Sequence, residues 1–179
     1  TGLQCLIIGK RGHHGVNGNM RFRTLLETLA SLDYGRHIIF EYDSLCLTPE
    51  IPAGVKDGVY GISFNDERPV RSFPGSKVTF DGKLFIHPPL AITRWTMLQV
   101  LDSMSGIPYS SFHGFWDRWL GMACERRSIP VHCFRETGLG YSRNTISRAE
   151  LPEACEGASK GTVLFHGVKS KEVLQAIVD

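Results

Sequence analysis

Short apolar runs and amphipathic stretches alternate along the chain. Leu3 to Ile8 is an apolar run ending in Gly9 and predicts a buried strand. Residues 9–19 carry four glycines with Lys10, Arg11, His13, His14, Asn17 and Asn19, which is loop composition. Asn19 is placed to cap a helix in which Phe22, Leu25, Leu26 and Leu29 recur at helical spacing, and Tyr34-Gly35 ends it. Arg36 to Phe40 predicts a second buried strand, Ile38-Ile39-Phe40, that runs into the acidic triplet Glu41-Tyr42-Asp43.

From Thr48 to Gly82 the pattern is irregular and rich in Pro, Gly and Asp, with a strand expected near Val59 to Phe64. Lys83 to Ile86 predicts a short strand stopped by His87-Pro88-Pro89. Thr93 to Met104 predicts a helix with Met97, Val100, Leu101 and Met104 on one face, broken by Gly106-Ile107-Pro108. A second helix is expected from Gly114 to Arg127, a strand from Val131 to Phe134, and a polar loop from Arg135 to Ser159. Thr162 to Phe165 predicts the last strand and Lys169 to Val178 the last helix. Strands alternating with helices define an α/β layer architecture, here one domain over residues 1–179.

Composition narrows the function. The chain has 179 residues, 42% hydrophobic and 21% charged, enough for one core without disulfides. A net charge of +2 with scattered basic residues argues against a nucleic-acid binder. No apolar run reaches the roughly 20 residues of a membrane-spanning helix. The sequence also has no signal-peptide pattern. The five cysteines, Cys5, Cys46, Cys124, Cys133 and Cys155, have no C-x-x-C spacing. They read as small buried hydrophobes in a reducing compartment, cytoplasmic or at a membrane surface.

Two motifs carry candidate chemistry. On a strand, Glu41 and Asp43 would share a face, and two carboxylates there repel each other unless a cation lies between them. Oxygen ligands select a hard ion, Mg²⁺ or Mn²⁺, able to bridge diphosphate oxygens. The bland reading is an acidic strand end meeting solvent. His166-Gly167-Val168-Lys169 joins the last strand to the last helix. His166 can offer a neutral imidazole to a metal, and Lys169 lies near a helix N-terminus that favours phosphate. The alternative is a surface His and Lys at a helix start.

Four segments in order resemble the GT-A-type nucleotide-sugar glycosyltransferases (family 2-like): Phe40-Glu41-Tyr42-Asp43, Phe85-Ile86-His87-Pro88-Pro89, Phe115-Trp116-Asp117-Arg118-Trp119 and His166-Gly167-Val168-Lys169. The resemblance covers residues 19–179 and implies a GT-A-like mixed sheet flanked by helices. It implies Asp43 as principal metal ligand, Glu41 toward ribose or a metal-bound water, His166 as a further ligand and Lys169 on the diphosphate. It also implies Asp117 as the base of an inverting transfer, with Glu125 a weaker candidate. Asp117 could instead simply stabilise its helix N-terminus. Trp116 and Trp119 could stack on a sugar or pack in the core. The loop 138–144 could close over a ligand or be ordinary surface.

The implied donor is a nucleoside-diphosphate sugar, and the implied acceptor a glycan or lipid-linked hydroxyl. The region before the triplet is shorter than that family's, through missing βαβ units or residues not included in the chain, so base and ribose contacts stay unassigned. A sugar-phosphate nucleotidyltransferase is the first alternative, with Ile8-Gly9-Lys10-Arg11-Gly12 as a faint phosphate loop. A non-catalytic carbohydrate-binding module with a degenerate transferase fold is the second.

Overall fold

The computed structural model describes residues 15–41, 43–48, 57–65, 84–105, 116–134, 136–143 and 145–179. The expected strand at 3–8, the histidines at 13 and 14, and the phosphate-loop echo at 8–12 lie outside the described residues, as does Tyr42.

The order of elements is α1 (Gly15–Ser31), β1 (Arg36–Ile39), β2 (Ser44–Cys46), β3 (Val59–Asn65), β4 (Leu84–Thr93), α2 (Arg94–Ser103), α3 (Trp116–Arg127), β5 (Val131–Cys133), β6 (Gly140–Ser142), α4 (Leu151–Ser159), β7 (Leu164–His166) and α5 (Lys171–Val178). They form a single-domain mixed α/β fold with two sheets. The larger sheet has strand order β1-β4-β3-β5, antiparallel except for the parallel β3–β5 pair. The smaller has order β2-β7-β6, with β2–β7 antiparallel and β6–β7 parallel.

Side-chain alternation along the strands builds the layers. Val59, Ile86 and Ile92 join Phe22, Leu26, Met97, Val100 and Leu120 in a core under helices α1, α2 and α3. The neighbours Tyr60 and Ala91 face the other way and meet Phe134 and Leu164 of the small-sheet side. Phe165, next to Leu164, faces a third cluster with Ala154, Val173 and Ile177 of α4 and α5. Thr93 caps α2, its hydroxyl accepting from the Thr96 N–H at 3.1 Å. No described helix is long and apolar enough to cross a membrane.

Several expectations need correction. Helix α1 starts at Gly15, so residues 15–19 are helical and Asn19 lies inside the helix rather than capping it. Strand β4 does not stop at Ile86 but runs ten residues through the His-Pro-Pro segment. Its prolines are tolerated because they fall where the ladder is interrupted. The β3 pairing jumps from Tyr60↔Ala91 to Ile62↔His87, and β1 pairs only with residues 90–93. The bulge on β4 lies opposite Gly61, where a Cβ would lie 2.8 Å from both Ile86 and Leu90 side-chain carbons.

The stretch 135–159 is not a loop throughout, since it holds β6 and α4. The turn into helix α4 is closed by Glu150, whose carboxylate accepts from the Ser147 backbone N–H at 2.9 Å and hydroxyl at 2.8 Å and whose own N–H donates to the Ser147 carbonyl at 3.1 Å.

Candidate metal centre

Glu41 and Asp43 lie in the connection between β1 and β2 rather than within a strand. Ser44 N–H donates to the Glu41 carbonyl at 3.1 Å and closes that turn. The Asp43 carbonyl then accepts two N–H groups from the far end of the chain, Gly167 at 3.0 Å and Val168 at 2.9 Å. Gly167 adopts φ 90°, a left-handed conformation that a side chain would strain. With Ser44 paired to His166 across β2–β7, the two motifs named from sequence are stapled together by backbone.

This staple places Asp43 and His166 side by side, both buried at 4% and 6% exposure. His166 Nε2 is 3.6 Å from Asp43 Oδ1 and 3.9 Å from Glu41 Oε2. Lys169 Nζ lies 3.6 Å from the other Asp43 oxygen, Oδ2. His166 Nδ1 is 3.0 Å from the Arg143 carbonyl. A carbonyl oxygen only accepts, so Nδ1 carries the hydrogen and Nε2 is the ring nitrogen left facing the carboxylates. Metal-binding histidines are commonly oriented in this way, by a hydrogen bond from the second ring nitrogen. Arg143 is itself held by Glu150 and Glu153, at 3.0 and 3.1 Å.

Strand β4 contributes a residue that sequence reasoning quoted but gave no role. His87 Nδ1 is 3.9 Å from Glu41 Oε2, and its ring centroid is 4.5 Å from that of His166. Burial lowers its pKa, while Glu41 works in the opposite direction. Donor atoms of Glu41, His87 and His166 lie within 4.8 Å of one another. Asp43 Oδ1 and His87 Nδ1 are buried without a hydrogen-bond partner among the described residues. Leaving a buried carboxylate oxygen without a hydrogen bond is costly, and a bound cation would offset that cost on the side that Lys169 does not reach. The cluster of Glu41, His87 and His166 therefore fits a divalent ion, with Asp43 bordering it through His166 at 3.6 Å.

Helix α3 brings Asp117 toward the same region. The helix can press on β4 because Gly121 has no side chain, and a Cβ there would lie 1.9 Å from the Leu84 carbonyl oxygen. Asp117 is buried at 6% exposure. Burial pushes its pKa from 3.8 up to about 7. The Glu41 charge adds to this rise, while hydrogen bonding from the Arg118 N–H opposes it. That N–H donates to Asp117 Oδ1 at 2.9 Å. A carboxyl poised near neutrality suits proton transfer.

The remaining candidates are structural in their surroundings. Trp116 stacks on Phe22 at 4.1 Å between ring centroids, and Trp119 meets the same ring edge-on at 6.1 Å, so both are core residues. Glu125 is exposed on α3. Within the segment 138–144, Gly140–Ser142 forms β6 and Arg143 forms the carboxylate pairs described above. No protein-family model matches the chain, and no curated protein matches it either.

Proposed function

We propose that this chain is a metal-dependent glycosyltransferase of GT-A-like architecture. On this reading it moves a sugar from a nucleoside-diphosphate sugar to the hydroxyl of a glycan or lipid-linked acceptor. The observation that carries the reading is the convergence, from three separate segments, of Glu41, Asp43, His166 and Lys169 with the neutral-range carboxyl of Asp117.

Asp43, His166 and Glu41 would hold the cation, Mn²⁺ or Mg²⁺ as first expected. A divalent ion there supplies positive charge where a diphosphate leaving group gains negative charge. Lys169, 3.6 Å from Asp43 and 40% exposed at its side chain, can turn its ammonium to a phosphate oxygen without leaving the site. Asp117 removes the proton of the acceptor hydroxyl, and the acceptor oxygen forms its bond to the anomeric carbon. The bond from that carbon to the diphosphate breaks, and its electron pair leaves with the nucleoside diphosphate. Attack opposite the leaving group inverts the anomeric centre. Free cysteines at Cys46, Cys124, Cys133 and Cys155 suit a reducing, cytoplasmic setting.

The test is hydrolysis and transfer with a panel of nucleotide sugars and Mn²⁺, run on the native chain and on Asp43→Ala. Metal-dependent turnover lost in the variant supports the reading. No turnover and no binding of any nucleotide sugar sinks it in favour of a non-catalytic carbohydrate-binding module. Turnover of a nucleoside triphosphate with a sugar phosphate would instead indicate a nucleotidyltransferase.

A further inference from the structure

We propose that His87 is a fourth donor to the cation held by Glu41, Asp43 and His166, and that it makes the centre selective for nitrogen-accepting ions such as Zn²⁺ and Co²⁺ over Mg²⁺. This rests on the metal-centre reading above and goes beyond it in naming the ion class and the residue that sets it.

Three spacings carry the argument: His87 Nδ1 to Glu41 Oε2 at 3.9 Å, His166 Nε2 to Glu41 Oε2 at 3.9 Å, and His166 Nε2 to Asp43 Oδ1 at 3.6 Å. All exceed hydrogen-bond length. Donors that share one ion at about 2.0–2.2 Å stand roughly 3–4 Å apart, so the same spacings suit a common centre. Asp43 Oδ1 and His87 Nδ1 have no other partner among the described residues. His87 Nδ1 faces Glu41 Oε2 and Asp43 Oδ1 faces His166 Nε2, so each unsatisfied atom borders the cluster of Glu41, His87 and His166.

The ion class follows from the donors. Mg²⁺ demands octahedral oxygen and sheds water reluctantly. Imidazole favours zinc and its neighbours in the first transition row. With His166 alone the set is dominated by oxygen, and with His87 it is two nitrogens and two carboxylates. The β4 ladder fixes His87 opposite Ile62, so the second imidazole is part of the sheet and not of a loose segment.

The experiment measures Zn²⁺, Mn²⁺ and Mg²⁺ affinity by calorimetry on the chelator-stripped chain. A nitrogen count from pulsed electron paramagnetic resonance of bound Mn²⁺ or Cu²⁺ accompanies it. His87→Phe keeps the ring volume and removes the donor. His87→Ala serves if the phenyl ring disturbs folding, judged by circular dichroism. The expected result is Zn²⁺ binding at least about tenfold tighter than Mg²⁺, a loss of about tenfold or more in Zn²⁺ affinity in the variant, and little change for Mg²⁺. The nitrogen count should fall from two to one. An unchanged Zn²⁺ to Mg²⁺ ratio, or a single coordinated nitrogen in the native chain, overturns the role of His87 while leaving the metal centre standing. A native chain that binds none of the three ions overturns both.

Discussion

Asp117→Asn should make the protein more stable at alkaline pH while abolishing most of its activity. The carboxyl titrates at about 7 in the folded chain, against an ordinary value of 3.8. The folded state therefore holds a proton that the unfolded state has released between those two values. Stability is highest where both states are protonated, declines as pH rises above about 4, and levels off only beyond about 7. At about 1.36 kcal/mol per pKa unit, the whole difference is ~4 kcal/mol, of which ~2.5 kcal/mol falls between pH 5 and pH 8. Asparagine keeps the shape, cannot ionise, and removes that slope. Urea unfolding of the metal-free chain at pH 5, 6.5 and 8 measures it directly. Native and variant curves should diverge upward with pH by about 2–3 kcal/mol. Parallel curves would refute the claim that burial holds Asp117 near neutrality. In turnover assays the native rate should rise with pH through about 7 and the variant should lose roughly 10²- to 10⁴-fold. A substitution that gains stability and loses function is expected of a carboxyl that must ionise in an apolar setting for its chemistry.

Three further substitutions test how the site is held. Gly121→Ala drives a methyl into the Leu84 carbonyl, so α3 must lift from β4. Thermal unfolding should show a net loss of about 2–3 kcal/mol despite the ~1 kcal/mol gain in helix propensity. Gly167→Ala forces a side chain to φ 90° and should cost about 1–2 kcal/mol in urea unfolding, with weaker metal binding because the turn that orders His166 and Lys169 is strained. Ser147→Ala removes the hydroxyl that donates to Glu150 while leaving the backbone N–H contact, and should cost about 0.5–1 kcal/mol, read by denaturant midpoint, with metal affinity nearly unchanged.

Much of the fold was legible because most elements have a clear apolar period. Helix α2 begins where Thr93 caps it, and β3, β5, β7 and α5 fall within a few residues of their expected bounds. The errors have physical causes. Pro88 and Pro89 read as strand breakers because sequence does not reveal that β4 bulges at them, opposite Gly61 of β3. Strand β6 has three residues and no room to show a period. The loop reading of 135–159 passed over two signals for α4, the Ser147 to Glu150 spacing and Pro152, a good residue for a helix start.

The site divides in the same way. Glu41, Asp43, His166 and Lys169 were marked by chemistry at strand ends, and the structure brings all four together. His87 carried no such mark, since its place beside His166 depends on the β3–β4 register. The pKa of Asp117 depends on its burial and on the charge of Glu41, neither of which a linear pattern contains.

Whether Asp43 is there for stability or for an ion can be decided by sign. Its carboxylate is 4% exposed, with one oxygen near Lys169 and the other near His166 without a hydrogen bond. If these contacts were a structural ion pair, Asp43→Asn in the metal-free chain would cost about 3–5 kcal/mol, the usual result of removing one member of a buried pair. The geometry argues otherwise. Lys169 is 40% exposed at its side chain, and the 3.6 Å contacts are long for charge-assisted hydrogen bonds. The backbone carbonyl that staples Gly167 and Val168 is untouched by the substitution. The metal-free variant should therefore lie within about 1 kcal/mol of the native chain, because relief of an unpaired buried oxygen offsets the weakened contacts. Zinc should then separate the two proteins. At 100 times its dissociation constant an ion stabilises the native chain by about 2.7 kcal/mol, and the variant, having lost a charged ligand, should gain much less. Urea unfolding with and without Zn²⁺ gives all four numbers. A large loss in the metal-free state with equal gains from zinc would make Asp43 a structural residue and remove it from the centre.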